Sequence, residues 1–284
     1  MQEVDILVLG AGWTATFLVP ELQSASLSYA LTTTTGRDNT IKFKFDPTNP
    51  DQKHAFSLLP AARYVLITFP VPTQAAATLL LDSYIATHPA DNTRYLVLGS
   101  TGIWSRPEKQ DAPWMTRHSK YDADDARVKT EETYLSRGAA VLNLSGLWDG
   151  VVRDARHWIP RVAKTKDAVR AKTSIHLIHG VDVARAIVAV VKAWEADRGK
   201  DEGRRCRGQR WMLTDGFVYD WWSLMAGWAD VEGGPTEQAT WVYELMVETG
   251  VRALPRSMEA LGRCYDTREF WDTFGVVPLK ARIP

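Results

Sequence analysis

The sequence predicts an α/β fold, a doubly wound parallel sheet with a smaller C-terminal lobe, and three observations lead there. Short β-branched and leucine-rich runs alternate with helix-like segments through the first half. The run at residues 64–69 is apolar in succession, as a strand covered on both faces must be. The first run ends on two glycines that open a helix, in Gly10-Ala11-Gly12-Trp13-Thr14-Ala15.

Residues 4–9 form the first expected strand, and residues 14–23 the first helix, which Pro20 is expected to kink or shorten. Residues 27–33 give a second strand. Residues 41–45 alternate apolar side chains with Lys42 and Lys44, which predicts a third strand with one wet face, near a sheet edge. The fourth strand, 64–69, is closed by Pro70 and Pro72 and followed by a helix in AAATLLLDSYIA. Residues 95–98 make a fifth strand, 122–136 a charged helix and 140–144 a sixth strand, an order that right-handed crossovers explain.

The texture changes after Gly150. Residues 1–150 carry the expected sheet, and residues 151–284 read as a mixed lobe whose elements return to it. The lobe holds a short strand at 174–178, a strongly amphipathic helix at 181–194 and a charged, solvated loop at 199–210. A strand at 211–214 and helices at 219–229 and 240–247 follow, with a turn at EGGP, 232–235. Among the 12 tryptophans, Trp221, Trp222 and Trp228 either line an apolar pocket or fill core, and core is the plainer reading.

Lys plus Arg and Asp plus Glu both number 34, so no overall field favours nucleic acid, an anionic membrane or a polyanion, and a small-molecule partner fits better. Cys206 and Cys264 stand far apart and outside any metal-ligand spacing, which predicts neither a disulfide framework nor a metal site. The early first strand leaves no room for a signal peptide, and no apolar stretch reaches membrane-spanning length. A cytoplasmic protein is expected.

The G-x-G-x-x-A run has a specific physical use. Gly10 permits the tight turn, Gly12 leaves bare backbone for a pyrophosphate, and Ala15 lets helix and strand approach closely. Trp13 and Thr14 then stand at a helix N-terminus, where free N–H groups and the helix dipole attract phosphate. A bare strand-to-helix turn is the alternative. An NAD site usually places a carboxylate at the end of the second strand, but here that end reads Thr32-Thr33-Thr34-Thr35-Gly36-Arg37. The hydroxyls of Thr33 and Thr34 and the Arg37 guanidinium suit the 2′-phosphate of NADP instead.

With these residues in place, the chain resembles an extended or atypical short-chain dehydrogenase/reductase, of the NAD(P)-dependent epimerase/dehydratase-like kind with a Rossmann-type sheet. GAGWTATFL matches that family's glycine loop. LGSTGIWS, 98–105, resembles its fifth-strand signature, and LNLSGLWDG, 142–150, resembles the sixth-strand segment beside the nicotinamide. IHGVDVARAI, 178–187, resembles a later H-V-x-D-x-A-x-A-I stretch. The resemblance places Phe69 and Pro70 near the adenosine or pyrophosphate, and Ser145, Gly146 and Leu147 beside the nicotinamide. It also implies a homodimer formed through a helix face.

The family's chemistry uses Tyr-x-x-x-Lys on the helix after the fifth strand, where the ammonium lowers the phenol's pKa. In this chain Asp125 stands four residues before Lys129, and Tyr121 stands eight before it, too far for a one-turn partner. Reading ARVKTEE as the R-x-x-x-E segment of members that lack the Tyr leads to the same conclusion: the usual acid is missing. Asp125 is either a replacement acid/base or, more plainly, an exposed helix carboxylate paired with Lys129; Lys129 is a candidate to touch the nicotinamide ribose. Ser100 or Thr101 is expected to face the nicotinamide, because ligands of open α/β sheets sit beyond the strands' carboxyl ends. His157 and His179 read as structural.

These expectations combine into an NADP-dependent oxidoreductase acting on a small, largely apolar carbonyl or alcohol. The alternatives are a non-catalytic NADP-binding regulator and an isomerase or cyclase on the same scaffold.

Overall fold

The computed structural model describes residues 3–49, 52–89, 93–105, 113–197, 204–230 and 234–283. Its elements run β1 (Val4–Leu9), α1 (Trp13–Ser24), β2 (Tyr29–Thr33), β3 (Ile41–Lys42), α2 (Gln52–Ser57), β4 (Ala62–Ile67), α3 (Gln74–Thr87), β5 (Arg94–Ser100), β6 (Trp114–Met115), α4 (Ala126–Ser136), β7 (Ala140–Leu144) and β8 (Gly146–Trp148). There follow α5 (Ile159–Val162), α6 (Lys166–Arg170), β9 (Ser174–Ile175), β10 (Leu177–His179), α7 (Gly180–Ala196), β11 (Arg210–Leu213), β12 (Tyr219–Asp220), α8 (Trp221–Gly227), α9 (Glu237–Thr249), α10 (Met258–Leu261), β13 (Cys264–Tyr265) and α11 (Arg268–Phe274).

Seven strands form one parallel sheet in the order β11-β7-β5-β4-β1-β2-β3. It is the doubly wound α/β fold that the alternation of elements predicts. In β1 all of Ile6 to Leu9 are buried because each face of the sheet has its own cover. Ile6 and Val8 pack with Leu18 of α1 and Val183 of α7, whereas Leu7 and Leu9 pack with Leu80 of α3 and Tyr134 of α4. The order reverses between β1 and β4, and the crevice at that switch point opens beyond their carboxyl ends. Strand β11 comes from the C-terminal half and closes one margin of the sheet. A separate apolar cluster joins Trp221, Trp222 and Met225 of α8 to Val242 and Leu245 of α9, so the paired tryptophans fill core.

Several boundaries differ from expectation for local reasons. Helix α1 runs unbroken through Pro20, where both Pro20 and Thr16, whose carbonyl loses its partner, face solvent. Strand β3 ends at Lys42, and residues 43–45 turn toward the crevice described below. The charged helix starts at Ala126, not at residue 122, because Asp125 caps it: its Oδ1 accepts from the N–H groups of Arg127 and Val128. The expected strand 174–178 splits at His176, since β9 pairs antiparallel with β12 while β10 pairs parallel with β8. The helix expected at 219–229 begins only at Trp221, capped by Asp220. Residues 199–203 of the expected charged loop and 232–233 of the expected turn lie outside the described residues. Among the described residues no helix is long and apolar enough to cross a membrane.

Candidate cofactor and active site

The glycine loop leaves β1 in the conformation that only glycine adopts freely. Gly10 has φ +96°, and a Cβ there would lie 2.7 Å from Thr68 Oγ1 and 3.0 Å from the Phe69 ring. Two threonines hold the turn: Thr32 Oγ1 accepts from Gly10 N at 3.0 Å, and Thr68 Oγ1 donates to Gly10 O at 2.6 Å. Gly12 differs, because nothing lies within 4 Å of the position its Cβ would take. It caps α1 without any side-chain hydrogen bond, so the first N–H groups of that helix are left for a ligand.

The loop floors a cleft of about 840 Å³ that runs along the carboxyl ends of the strands. One end is walled by Thr33, Thr34 and Arg37 after β2 and by Phe43, Lys44 and Phe45 after β3. Thr33 Oγ1 accepts from Gly36 N, which fixes the turn that carries the exposed Arg37. Phe45 stacks on Phe69 with ring centroids 6.3 Å apart, a flat apolar wall suited to a planar base. Phe69 and Pro70 line the middle of the cleft. Trp13 does not plug the crevice. Its Nε1 donates to Asp149 Oδ2 at 2.6 Å, and the Arg153 guanidinium lies 4.6 Å from its ring centroid, beside the glycine loop. Burial pushes the Asp149 carboxyl up, but the N–H groups of Arg153, Trp13 and Val151 together hold it below the usual carboxylate range.

At the other end the cleft is lined by Ser100 at the tip of β5 and by Leu144, Ser145 and Leu147 after β7. Ser100 Oγ accepts from Gly102 N at 3.1 Å, which leaves its proton free to donate. Ser145 is 7% exposed, and its hydroxyl has no hydrogen-bond partner among the described residues, so a ligand there has a polar group to satisfy. Gly146 lines no part of the cleft; it pairs with Leu177 in the β8–β10 ladder. Thr101 also turns away, its Oγ1 donating to Leu144 O and its own carbonyl accepting from Tyr265 Oη.

Asp125 and Lys129 lie outside the cleft too. Asp125 is the cap of α4, and Lys129 Nζ donates to Asp124 Oδ1 at 2.8 Å, so the ion pair expected between Asp125 and Lys129 forms with Asp124 instead. Arg127 lines the cleft, and Glu131, one turn later, is buried against the sheet, its Oε1 accepting from Asn143 Nδ2 and its Oε2 from Arg210 Nε. Burial raises the Glu131 carboxyl above its usual range, against the lowering by Asn143 and Arg210. His179 caps α7 by accepting from Val181 N and packs edge-on to Phe17 and Trp148, a structural role.

Sequence reasoning missed Thr68, Lys44 and Arg153, and it weighed Arg127 only as the Arg of an R-x-x-x-E segment. The KFKF alternation marked Lys44 only as an edge-strand residue, and no local pattern ties Arg153 to a loop 140 residues earlier. Among the described residues the cleft carries four cations, Arg37, Lys44, Arg127 and Arg153, and no Asp or Glu. A nicotinamide dinucleotide fits this donor set: bare backbone at Gly12 for the pyrophosphate, cations along the cleft, and the unpartnered Ser145 hydroxyl at the far end.

No family model matches the chain, and no curated protein matches it. Solved structures do. Yeast methylglyoxal/isovaleraldehyde reductase Gre2, complexed with NADPH, is 13% identical, with a TM-score of 0.63 over 99% of this chain and 94% of that one. Gre2 from Candida albicans is 12% identical, with a TM-score of 0.63 over 98% and 95%. A short-chain dehydrogenase/reductase superfamily protein from Agrobacterium tumefaciens, with bound NAD, is 13% identical, with a TM-score of 0.61 over 98% and 92%. Nearly the whole chain therefore has the Rossmann-like α/β fold that these structures share.

Proposed function

We propose that the protein is an NADP-dependent oxidoreductase that acts on a small carbonyl or alcohol without a Tyr-x-x-x-Lys pair. The observation that carries this reading is the cleft itself, with an open Gly12, four cations and no carboxylate along its lining. Gly10, Gly12, Trp13 and Thr14 would hold the pyrophosphate, Thr33, Thr34, Arg37 and Lys44 the adenosine ribose with its 2′-phosphate, and Ser100 and Ser145 the nicotinamide end. A bound nicotinamide supplies the hydride for carbonyl reduction. The substrate oxygen takes its proton from water, with Ser100 donating a hydrogen bond to it, and Leu98, Leu144 and Leu147 give the reacting end an apolar wall.

The test is a titration of NADPH and NADH followed by tryptophan fluorescence, then a panel of aldehydes and ketones. NADPH is expected to bind more tightly than NADH by about tenfold or more, and Arg37→Ala with Lys44→Ala is expected to erase that preference. Equal affinity for the two coenzymes would remove the case for NADP.

One observation favours a second reading, an NADP-binding regulator: among the described residues the cleft lining includes no Tyr, His, Cys, Asp or Glu to exchange a proton. NADPH binding without oxidation by any carbonyl would select it.

A further inference from the structure

The loop that follows β8 is fastened to the glycine loop by the edge and by the face of one indole. Asp149 Oδ2 accepts from Trp13 Nε1 at 2.6 Å, while its Oδ1 accepts from the N–H groups of Val151 and Arg153, each at 2.8 Å. The N–H groups of Asp149 and Gly150 both donate to the Arg153 carbonyl, at 3.0 and 3.4 Å, which closes residues 149–153 into a turn. The Arg153 guanidinium then lies 4.6 Å from the Trp13 ring centroid. The stem of the loop is fixed from behind. Trp148 packs edge-on to His179 with ring centroids 4.7 Å apart, His179 to Phe17 at 5.6 Å, and Phe17 to Trp13 at 4.9 Å. The row closes because residue 180 is glycine, where a Cβ would fall 2.3 Å from the Phe17 ring. Arg153 lines the cleft, whereas Asp149 does not. Both Asp149 oxygens are taken up by N–H groups, and the Arg153 guanidinium has no hydrogen-bond or ion-pair partner among the described residues.

Resting on the reading of the cleft as a dinucleotide site, we infer that Arg153 binds the pyrophosphate, the part that NADPH and NADH share, and that Asp149 is a positioning residue that holds Arg153 against Trp13. The neighbours of Arg153 favour the pyrophosphate over the 2′-phosphate. Trp13 follows Gly12, whose backbone is open, and begins α1, whereas Arg37 and Lys44 stand at the end of the cleft beyond β2 and β3. A guanidinium offers a planar fork of N–H donors that suits phosphate oxygens, and one already stacked on an indole loses less side-chain freedom when an anion binds. The turn supplies the remaining order. Asp149 fixes the Arg153 backbone through one oxygen and the Trp13 ring through the other, so a single carboxylate sets both halves of the stack.

The experiment titrates the full chain with NADPH, NADH and ADP-ribose by calorimetry, with no turnover required. Arg153→Gln is expected to weaken all three by the same factor, about tenfold or more, because each carries the pyrophosphate, and to leave the melting temperature within about 2 °C of the parent. Arg153→Lys is expected to retain part of the affinity. Asp149→Asn is expected to weaken the same three ligands by about threefold or more in the parent, and to add nothing in the Arg153→Gln background. Additive losses there would remove Asp149 from its positioning role. A loss confined to NADPH would assign Arg153 to the 2′-phosphate, and a loss for both coenzymes but not for ADP-ribose would assign it to the nicotinamide. Either result overturns the inference, as does unchanged affinity for all three. Failure of the parent to bind either coenzyme is a different result: it sinks the reading of the cleft, and the role of Arg153 with it.

Discussion

Arg210, on the edge strand β11, donates from Nε to Oε2 of Glu131 on α4 at 3.0 Å, and both side chains are almost wholly buried. Arg210 continues to Glu132 through Nη1 and lies 4.8 Å from the Tyr121 ring centroid, so one guanidinium ties the C-terminal half to the helix beside the cleft. Removing the Glu131 carboxylate leaves a buried cation short of its partner. Glu131→Ala is therefore expected to cost about 3 kcal/mol in urea unfolding, and Glu131→Ala combined with Arg210→Met to recover much of that loss. Additive losses in the double variant would show that the two side chains do not act as a pair.

The two loop glycines are expected to fail in different ways. Gly10→Ala forces a side chain into a positive-φ position against Thr68 and Phe69, at a cost of about 1–3 kcal/mol that thermal unfolding will read. Gly12→Ala meets no protein atom, so its melting temperature is expected to stay within about 2 °C of the parent while NADPH binding weakens by about tenfold or more. If Gly12→Ala binds NADPH as the parent does, no phosphate lies against that backbone.

Two buried groups titrate in opposite senses. Burial, with Arg263 adding to it, drives His176 down from 6.5 to about 3, so below about pH 6.5 the unfolded chain binds a proton that the native chain refuses, and stability falls as pH drops. Burial raises Asp215 from 3.8 to about 6, against hydrogen bonds from Tyr219 and the Phe217 N–H. Between those values the native state keeps a proton that the unfolded chain has lost, and stability rises as pH drops. Each contributes about 1.4 kcal/mol per pH unit, so the two cancel between about pH 4 and pH 6. Unfolding measured across that range is expected to gain stability toward acid in His176→Gln and to lose it in Asp215→Asn. Parallel profiles in both variants and the parent would refute the pairing.

The alternation of apolar runs with helices made the parallel sheet legible, because a strand covered on both faces must be apolar in succession, as Ile6 to Leu9 are. The glycine loop was legible for the same kind of reason, since its geometry is set by residues adjacent in the chain. Caps hid the rest. Asp125 and Asp220 end what periodicity reads as helix by bonding the first N–H groups, a competition decided at one residue. The far end of the cleft was partly legible: Ser100 and Ser145 line it, while Thr101 faces Leu144 and Lys129 faces Asp124. Arg153 comes to the cleft only through tertiary packing, which no local spacing encodes, and Arg127 was legible only as part of an R-x-x-x-E segment.

Because β11 pairs with β7 from beyond α7, the outer margin of β7 has no neighbour until the ribosome has made residue 213. A nascent chain that has emerged only to Gly150 holds the glycine loop but bares the N–H and C=O groups of Ala140–Leu144, a template on which a second chain can add a strand. Shortening the protein to its first half would therefore leave a strand edge open to aggregation.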